Sequence, residues 1–193
     1  PPMNGSIMLG EKKIGIIKLE VERNIKPRKN FLTKVRRLAN KYKTVLIFDE
    51  STSGFRQTYG GLHSKYNVNP DIVIYGKAIG NGYAITAVLG KKKIMERVQN
   101  TFLSSTFWSE RIGFAAACAT IDFMKKNKTW KSILRSSKII TDGWTNVSKK
   151  HNVDIEIFGL EGIPQFKFKN YHNLLKTFFT KRMLDNKFLA SNL

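Results

Sequence analysis

Three short runs built around apolar residues constrain the fold of this chain most strongly. They read KKIGIIKLEVE at 12–22, TVLIF at 44–48 and DIVIYG at 71–76. Short, continuously apolar runs are typical of strands buried on both faces of a parallel sheet. Between the first two runs, NFLTKVRRLANKYK at 30–43 has apolar residues at helical spacing, with Asn30 as a candidate N-cap. The order strand, helix, strand predicts a β-α-β unit and therefore an α/β fold.

The remaining segments predict two parts of different architecture. The expected helices are 91–99, 111–127, 131–151 and 171–187, and the expected further strands are 84–90, 153–158 and 163–168. The long apolar helix at 111–127 ends near a predicted domain boundary at 127–130, and the segments that follow it favour a smaller α+β arrangement. We therefore predict a mostly parallel-sheet domain at 1–129 and part of a small domain at 130–193.

The composition excludes some classes of protein and leaves others open. The chain has 193 residues, a net charge of +20 and no apolar run near the ~18 residues of a membrane span. The charge suggests a nucleic-acid binder, but the lysines are scattered and neither an RNP-like aromatic motif nor zinc-ligand spacing accompanies them. We expect neither nucleic-acid binding as the main role nor a metal site. A basic surface that attracts anionic substrates fits the charge better.

The single cysteine bears on the redox compartment of the protein, and the two ends of the chain bear on whether it is part of a longer protein. Cys118 lies in the apolar stretch FAAACATIDF, so we expect a small buried core residue rather than a disulfide or a ligand. Nothing in this pattern opposes a reducing cytoplasm. The chain opens PPMNGS and closes KFLASNL, and we expect both ends to be cuts within a longer protein.

A lysine and an acid follow two of the predicted strands. Lys77 sits between glycines in IVIYGKAIGNGYAITAV, and Asp49 and Glu50 end the strand VLIFDE. Because open α/β sheets bind ligands at the carboxyl ends of their strands, Lys77 and Asp49 are candidates for one site. Lysine forms Schiff bases with carbonyl compounds, including pyridoxal phosphate, and an acid can hold the protonated pyridine nitrogen. Taken alone, each residue also fits an ordinary surface or loop position.

The motifs as a set resemble those of a known family. They are KLEVERN (18–24), VLIFDESTSGFR (45–56), PDIVIYGKAIGNGYAITAVLG (70–90) and SSTFWSERIGFAAACATI (104–121). Together they resemble class III pyridoxal-phosphate aminotransferases of fold type I, and most closely the branch of glutamate-1-semialdehyde 2,1-aminomutase. The resemblance implies a three-layer αβα large domain followed by the start of a small α+β domain. It also implies a homodimer that acts on an amino-acid or amino-sugar and a carbonyl substrate.

The resemblance assigns roles to individual residues. Lys77 matches the Schiff-base lysine, and Asp49 matches the acid that binds the pyridinium nitrogen. Thr106 matches the threonine that reaches the cofactor phosphate of the neighbouring subunit. Glu20 matches a supporting acid of the active site. Ser51 occupies the position of an apolar residue that packs on the cofactor ring, and its small side chain would weaken that packing by about 1 kcal/mol.

Other positions match or depart from the family pattern. Gly54, Phe55 and Arg56 match the loop after the aspartate, where we expect a structural role, and Arg56 could add positive potential for an acidic substrate. Val21 replaces the usual proline after the Glu20 position. The family's N-terminal segment, which holds the phosphate within the same subunit, does not precede Lys77.

Alternatives to the enzyme follow from these departures. The absent N-terminal segment leaves open a catalytically inert fragment or degenerate paralogue that acts through protein contacts. The histidines His63, His151 and His172 lack metal-ligand spacing, and we expect each to be a surface residue.

Overall fold

The three apolar runs form the centre of a five-stranded sheet. The computed structural model describes residues 6–9 and 12–190, with side chains from residue 15 onward. The chain divides into two compact units, residues 1–130 and 131–193. The predicted identity of these parts, a cofactor-binding domain and part of a small domain, stays a prediction.

The sheet is parallel at its centre and antiparallel at both edges. Strands β2 (Lys12–Glu20), β3 (Val45–Glu50) and β4 (Ile72–Tyr75) are parallel neighbours. Strand β1 (Ser6–Leu9) pairs antiparallel with β2, and β5 (Ala87–Gly90) pairs antiparallel with β4. The sequence did not indicate β1, and β5 is shorter than the predicted strand.

The central strand β3 is buried on one face and partly open on the other. Leu46, Phe48 and Glu50 have no exposed surface, whereas Ile47 and Asp49 keep some. Because side chains alternate across a strand, the two sets point to opposite faces of the sheet. Each face of β3 thus carries two apolar residues and one acid, and Asp49 lies on the more open face with Val45 and Ile47.

Helices and short 3₁₀ turns connect the strands of the first unit. The α-helices are α1 (Phe31–Lys41), α2 (Lys92–Met95) and α3 (Arg111–Asn127), and 3₁₀ turns cover Leu62–Tyr66, Lys77–Ile79 and Glu96–Asn100. Asn30 is the N-cap residue of α1, as predicted, but its backbone is in the left-handed conformation and its side chain makes no capping hydrogen bond. Helix α3, in contrast, has a side-chain cap. The carboxylate of Glu110 accepts hydrogen bonds from the backbone N–H groups of Ile112 and Gly113.

One face of α3 packs on the core of the first unit. Gly113, Ala117 and Met124 are its buried positions, and the last two join a cluster with Phe55 and Tyr75. The prediction that Cys118 is buried is wrong, because it is exposed. Cys118 lies one residue after Ala117, and this step of about 100° turns it away from the buried face.

The second unit is built around a hairpin and an aromatic cluster. Strands β6 (Ile155–Leu160) and β7 (Ile163–Phe168) pair antiparallel, between α4 (Thr129–Lys150) and α5 (His172–Asp185). The rings of Trp144, Phe166, Phe168 and Phe179 contact one another at centroid distances of 5.0 to 6.3 Å. Within residues 6–9 and 12–190, no helix is long and apolar enough to cross a membrane.

A buried aspartate ties the elements of the first unit together. The Asp71 carboxylate accepts from the Leu46 backbone N–H and from Arg36 at 2.8 Å each, and it pairs with Lys91 at 2.7 Å. Burial alone would raise the pKa of Asp71, but the hydrogen bonds from Leu46, Lys91 and Arg36 lower it below its ordinary value. This ionised group therefore joins β3, α1 and the segment after β5 at the start of β4.

Replacing Asp71 with asparagine should destabilise the protein by about 2 kcal/mol at pH 7, since Arg36 and Lys91 lose a charged acceptor. Because the pKa of Asp71 is lowered on folding, its contribution is fully present above the ordinary aspartate pKa of about 3.9 and is lost as pH falls through the folded value. Urea unfolding from pH 7 down to about pH 3 measures both effects. An equal pH dependence in Asp71→Asn and wild type would contradict this account.

Candidate functional site

The carboxyl ends of the three parallel strands bring the predicted acids and lysine to one edge of the sheet. Glu20 of β2 is in register with Asp49 of β3, and Asp49 is in register with Ile74 of β4. Lys77 follows β4 after Tyr75 and Gly76. The edge at which open α/β sheets bind ligands therefore carries Glu20, Asp49 and Lys77 in adjacent strand ends.

Asp49 is held by two donors, one on each carboxylate oxygen. The backbone N–H of Ser51 donates to Oδ1 at 3.1 Å, and Lys18 Nζ lies 3.0 Å from Oδ2. Burial raises the pKa of Asp49, but the hydrogen bonds from Lys18 and Ser51 and the charge of Lys18 lower it below its ordinary value overall. Asp49 is therefore a carboxylate at neutral pH, with 24% of its side chain exposed.

Lys77 is exposed and has an unusual backbone conformation. Its φ of 47° lies in the left-handed region, which costs a residue with a side chain about 1–2 kcal/mol. Its Nζ donates a hydrogen bond to Thr52 Oγ1 at 2.7 Å. Nine other described non-glycine residues, Lys43 and Lys128 among them, also have a positive φ, so this conformation does not by itself single out Lys77.

Ser51 and Thr52 connect the aspartate to the lysine. Ser51 orients Asp49 through its backbone N–H, and its Oγ lies 3.7 Å from the position that a Cβ on Gly76 would occupy. Thr52 accepts from Lys77, and its carbonyl oxygen accepts from Arg56 Nε at 2.9 Å. The loop after β3 therefore contacts both Asp49 and Lys77.

A fully buried glutamate holds that loop in place. The Glu50 carboxylate accepts from Ser53 Oγ at 3.1 Å and from the backbone N–H groups of Leu62 and His63. His63 Nδ1 also lies 2.6 Å from Glu50 Oε1, and 16% of the His63 side chain is exposed. The prediction that His63 is a surface residue is wrong, because its ring is a partner of a buried acid.

The glycine and aromatic residue of the same loop are required by close packing. A Cβ on Gly54 would stand 2.6 Å from the Tyr75 ring and 2.9 Å from the Glu50 carbonyl oxygen, so no larger residue fits without a shift. Phe55 has a φ of 57° and packs edge-on against Tyr75 at a centroid distance of 5.1 Å. These contacts fix the loop against β4, the strand that leads to Lys77.

Glu20 and Thr106, the other two predicted site residues, form no hydrogen bond or ion pair with Asp49 or Lys77 in the part of the chain that the structure describes. Glu20 pairs with Arg23 at 3.0 Å and is exposed at its strand end. Thr106 is exposed in the turn before α3. Its neighbour Phe107 lines a pocket of about 1140 Å³ together with Lys77. Thus Glu20 lies beside Asp49, whereas Thr106 is next in sequence to a residue that lines this pocket but does not line it itself.

Two contacts of this site escaped the sequence analysis. Lys18 interrupts an apolar strand two residues before Glu20, and a charge in such a run was the available signal. Thr52 carried no comparable signal, because its contact with Lys77 depends on the path of the loop. Among the described residues, no group of three or more His, Cys, Asp or Glu could hold a metal ion.

Known proteins provide an independent comparison for this geometry. The chain is 33% identical over 169 residues to 3-aminobutyryl-CoA aminotransferase of Cloacimonas acidaminovorans, an alignment that covers 84% of this chain and 41% of the relative. It is 31% identical over 154 residues to glutamate-1-semialdehyde 2,1-aminomutase of Natranaerobius thermophilus, covering 77% of this chain and 36% of the relative. The chain therefore spans less than half the length of these relatives.

Solved structures share the fold. The FumI protein of Sphingopyxis sp., in its PLP internal aldimine form, matches with a TM-score of 0.77 at 22% identity, over 81% of this chain and 39% of FumI. Ornithine aminotransferase of Plasmodium yoelii matches with a TM-score of 0.77 at 20% identity, over 93% of this chain and 49% of that enzyme. The predicted α/β fold of type I is thereby confirmed.

A family model described as aminotransferase class-III matches residues 24–181, most of the chain. This span includes β3, the Glu50 loop, β4 and Lys77, and it leaves out β2 with Lys18 and Glu20. The predicted resemblance is confirmed, and the chain belongs to the class III aminotransferase family.

Proposed function

We propose that this chain carries the lysine and aspartate of a pyridoxal-phosphate site and that the protein transfers amino groups through a Schiff base of Lys77. The family supports amino-group transfer, and pyridoxal phosphate is its expected cofactor. The observation that carries the residue assignment is the placement of Asp49 and Lys77 at adjacent parallel strand ends, joined by Ser51 and Thr52.

The residues present fit this cofactor. Lys77 offers an exposed amine, and Asp49 offers an ionised carboxylate at the same sheet edge. When bound, pyridoxal phosphate supplies an electron sink that stabilises negative charge on the substrate carbon. The carboxylate of Asp49 would favour a protonated ring nitrogen, because an opposite charge nearby stabilises the protonated form.

Lys77 has two tasks in this proposal. Its amine would hold the cofactor covalently until an amino donor takes its place. The freed Nζ would then be the group that takes a proton from the substrate carbon and returns it to the neighbouring position. Thr52 would support both tasks, because its hydroxyl oxygen accepts a hydrogen bond from Lys77 Nζ at 2.7 Å.

The other predicted residues complete the proposal. Thr106 would bind the cofactor phosphate of a second subunit in a homodimer, Ser51 would lie against the cofactor ring, and Glu20 would support Asp49. The exposed turn around Thr106 and the exposed Phe107 and Trp108 beside it support a contact at this surface. We propose a cytoplasmic enzyme that takes an amino-acid or amino-sugar donor and a carbonyl acceptor.

The names of the relatives favour two forms of amino transfer. One relative is an aminotransferase, which passes the amino group between molecules, and the other is a 2,1-aminomutase, which moves it within one molecule. Both forms need the same lysine and the same ring-binding acid. The proposal therefore covers either form, with Lys77 and Asp49 in unchanged roles.

Lys77→Ala should abolish covalent cofactor attachment, because no other residue in the proposal supplies the amine. The full-length protein is incubated with pyridoxal phosphate, reduced with borohydride, digested and examined by mass spectrometry. We expect a cofactor adduct on Lys77 in wild type and in Lys34→Ala, an exposed lysine on α1, but none in Lys77→Ala. A wild-type protein without an adduct at position 77 would favour the inert paralogue instead.

Thr52→Val should slow cofactor attachment roughly tenfold, since the isosteric change removes one hydrogen bond to the amine. Stopped-flow absorbance after mixing with pyridoxal phosphate measures the rate. Thr52→Ser should restore most of it. The matched control is Thr58→Val in the same loop, whose hydroxyl donates to the Gly60 carbonyl oxygen at 3.2 Å and which should leave the rate unchanged. Equal rates in Thr52→Val and wild type would remove Thr52 from this role.

A further inference from the structure

Asp49 already has a cationic partner in the protein itself. Lys18 Nζ lies 3.0 Å from Asp49 Oδ2, and the Ser51 N–H occupies Oδ1. A cofactor ring nitrogen that approached this carboxylate would therefore meet an oxygen that an ammonium group already contacts. Two cations next to one carboxylate oxygen repel each other, and this repulsion opposes protonation of the ring.

The strand register explains why Lys18 reaches Asp49. Lys18 pairs with Ile47 and Glu20 pairs with Asp49, and residues two apart on a strand share one face of the sheet. Lys18 therefore stands diagonally across from Asp49 on the same face. The uncharged Ile74 is the neighbour of Asp49 on the other side, in β4.

The remaining charges at this edge have other partners. Glu20, directly opposite Asp49, pairs with Arg23 at 3.0 Å. Lys77 donates to Thr52. Lys18 is therefore the cation in contact with Asp49 among the described residues, and it offsets the repulsion between the adjacent carboxylates of Asp49 and Glu20.

We propose that Lys18 competes with the cofactor ring nitrogen for the Asp49 carboxylate and so weakens cofactor binding. This inference rests on the proposed function of Asp49. The Lys18 side chain is 49% exposed, and its four-carbon stem is flexible, so it can move aside when the cofactor binds. The competition is accordingly modest, because partly exposed ion pairs contribute little.

The test compares three variants of the full-length protein. Lys18→Met removes the charge but keeps an apolar stem in an apolar strand, and Lys18→Arg keeps the charge. Lys138→Met is the matched control, because it removes the same charge from an exposed lysine–aspartate pair with an N–O distance of 2.8 Å, to Asp142. Fluorescence titration measures the Kd of pyridoxal phosphate for each variant.

Lys18→Met should bind pyridoxal phosphate roughly three- to tenfold more tightly than wild type, because the competing cation is gone. Lys18→Arg and Lys138→Met should bind it as wild type does. Unchanged or weaker binding in Lys18→Met would overturn the competition.

A second measurement does not need the cofactor. A ¹³C NMR titration of the Asp49 carboxyl in the cofactor-free protein should give a higher pKa in Lys18→Met than in wild type, because the lysine's hydrogen bond and charge lower it. An unshifted titration would show that Lys18 does not act on Asp49 and would overturn the inference.

The outcomes also separate this inference from the proposed function. A wild-type protein that carries an adduct on Lys77 but binds pyridoxal phosphate no more weakly than Lys18→Met refutes the competition alone. A wild-type protein that takes up no cofactor refutes both the proposed function and the competition, even where the NMR titration reports the ion pair.

Discussion

The buried carboxylate of Glu50 is the interaction on which the rest of the site depends. It has no exposed surface, and a buried charge without partners would cost several kcal/mol. Its donors come from Ser53, Leu62 and His63, so the loop that follows β3 must close around it. The loop that results carries the backbone N–H that orients Asp49 and the hydroxyl that holds the amine of Lys77. The positions of Asp49 and of the Lys77 amine thus depend on the loop that closes around this buried carboxylate.

The same carboxylate also acts on the strand that leads to Lys77. Burial, and then the charge of Glu50, raise the pKa of Tyr75 to about 12, so this tyrosine stays a neutral hydroxyl. Its ring packs on Phe55 and lies where a side chain at position 54 would have to go. The loop and the strand therefore fix each other, and a single cluster of packed groups positions both the acid and the amine.

The strongly apolar segments could be predicted from the sequence, and contacts that depend on register could not. The bounds of α3 agree with the prediction at both ends, and β3 and β4 differ from it by one or two residues. Cys118 was misjudged because an apolar helix with a narrow buried face leaves apolar positions exposed. His63 was misjudged because its partner, Glu50, is distant in sequence and becomes its neighbour only when the loop closes.

The left-handed backbone of Lys77 bears on how such a chain would evolve. Glycine adopts this conformation without steric cost, so stability alone would favour glycine over lysine at position 77. If Lys77 has the proposed role, a descendant that no longer needed its amine would gain stability by replacing it with glycine. Under that proposal, lysine at this position is a compromise between stability and activity.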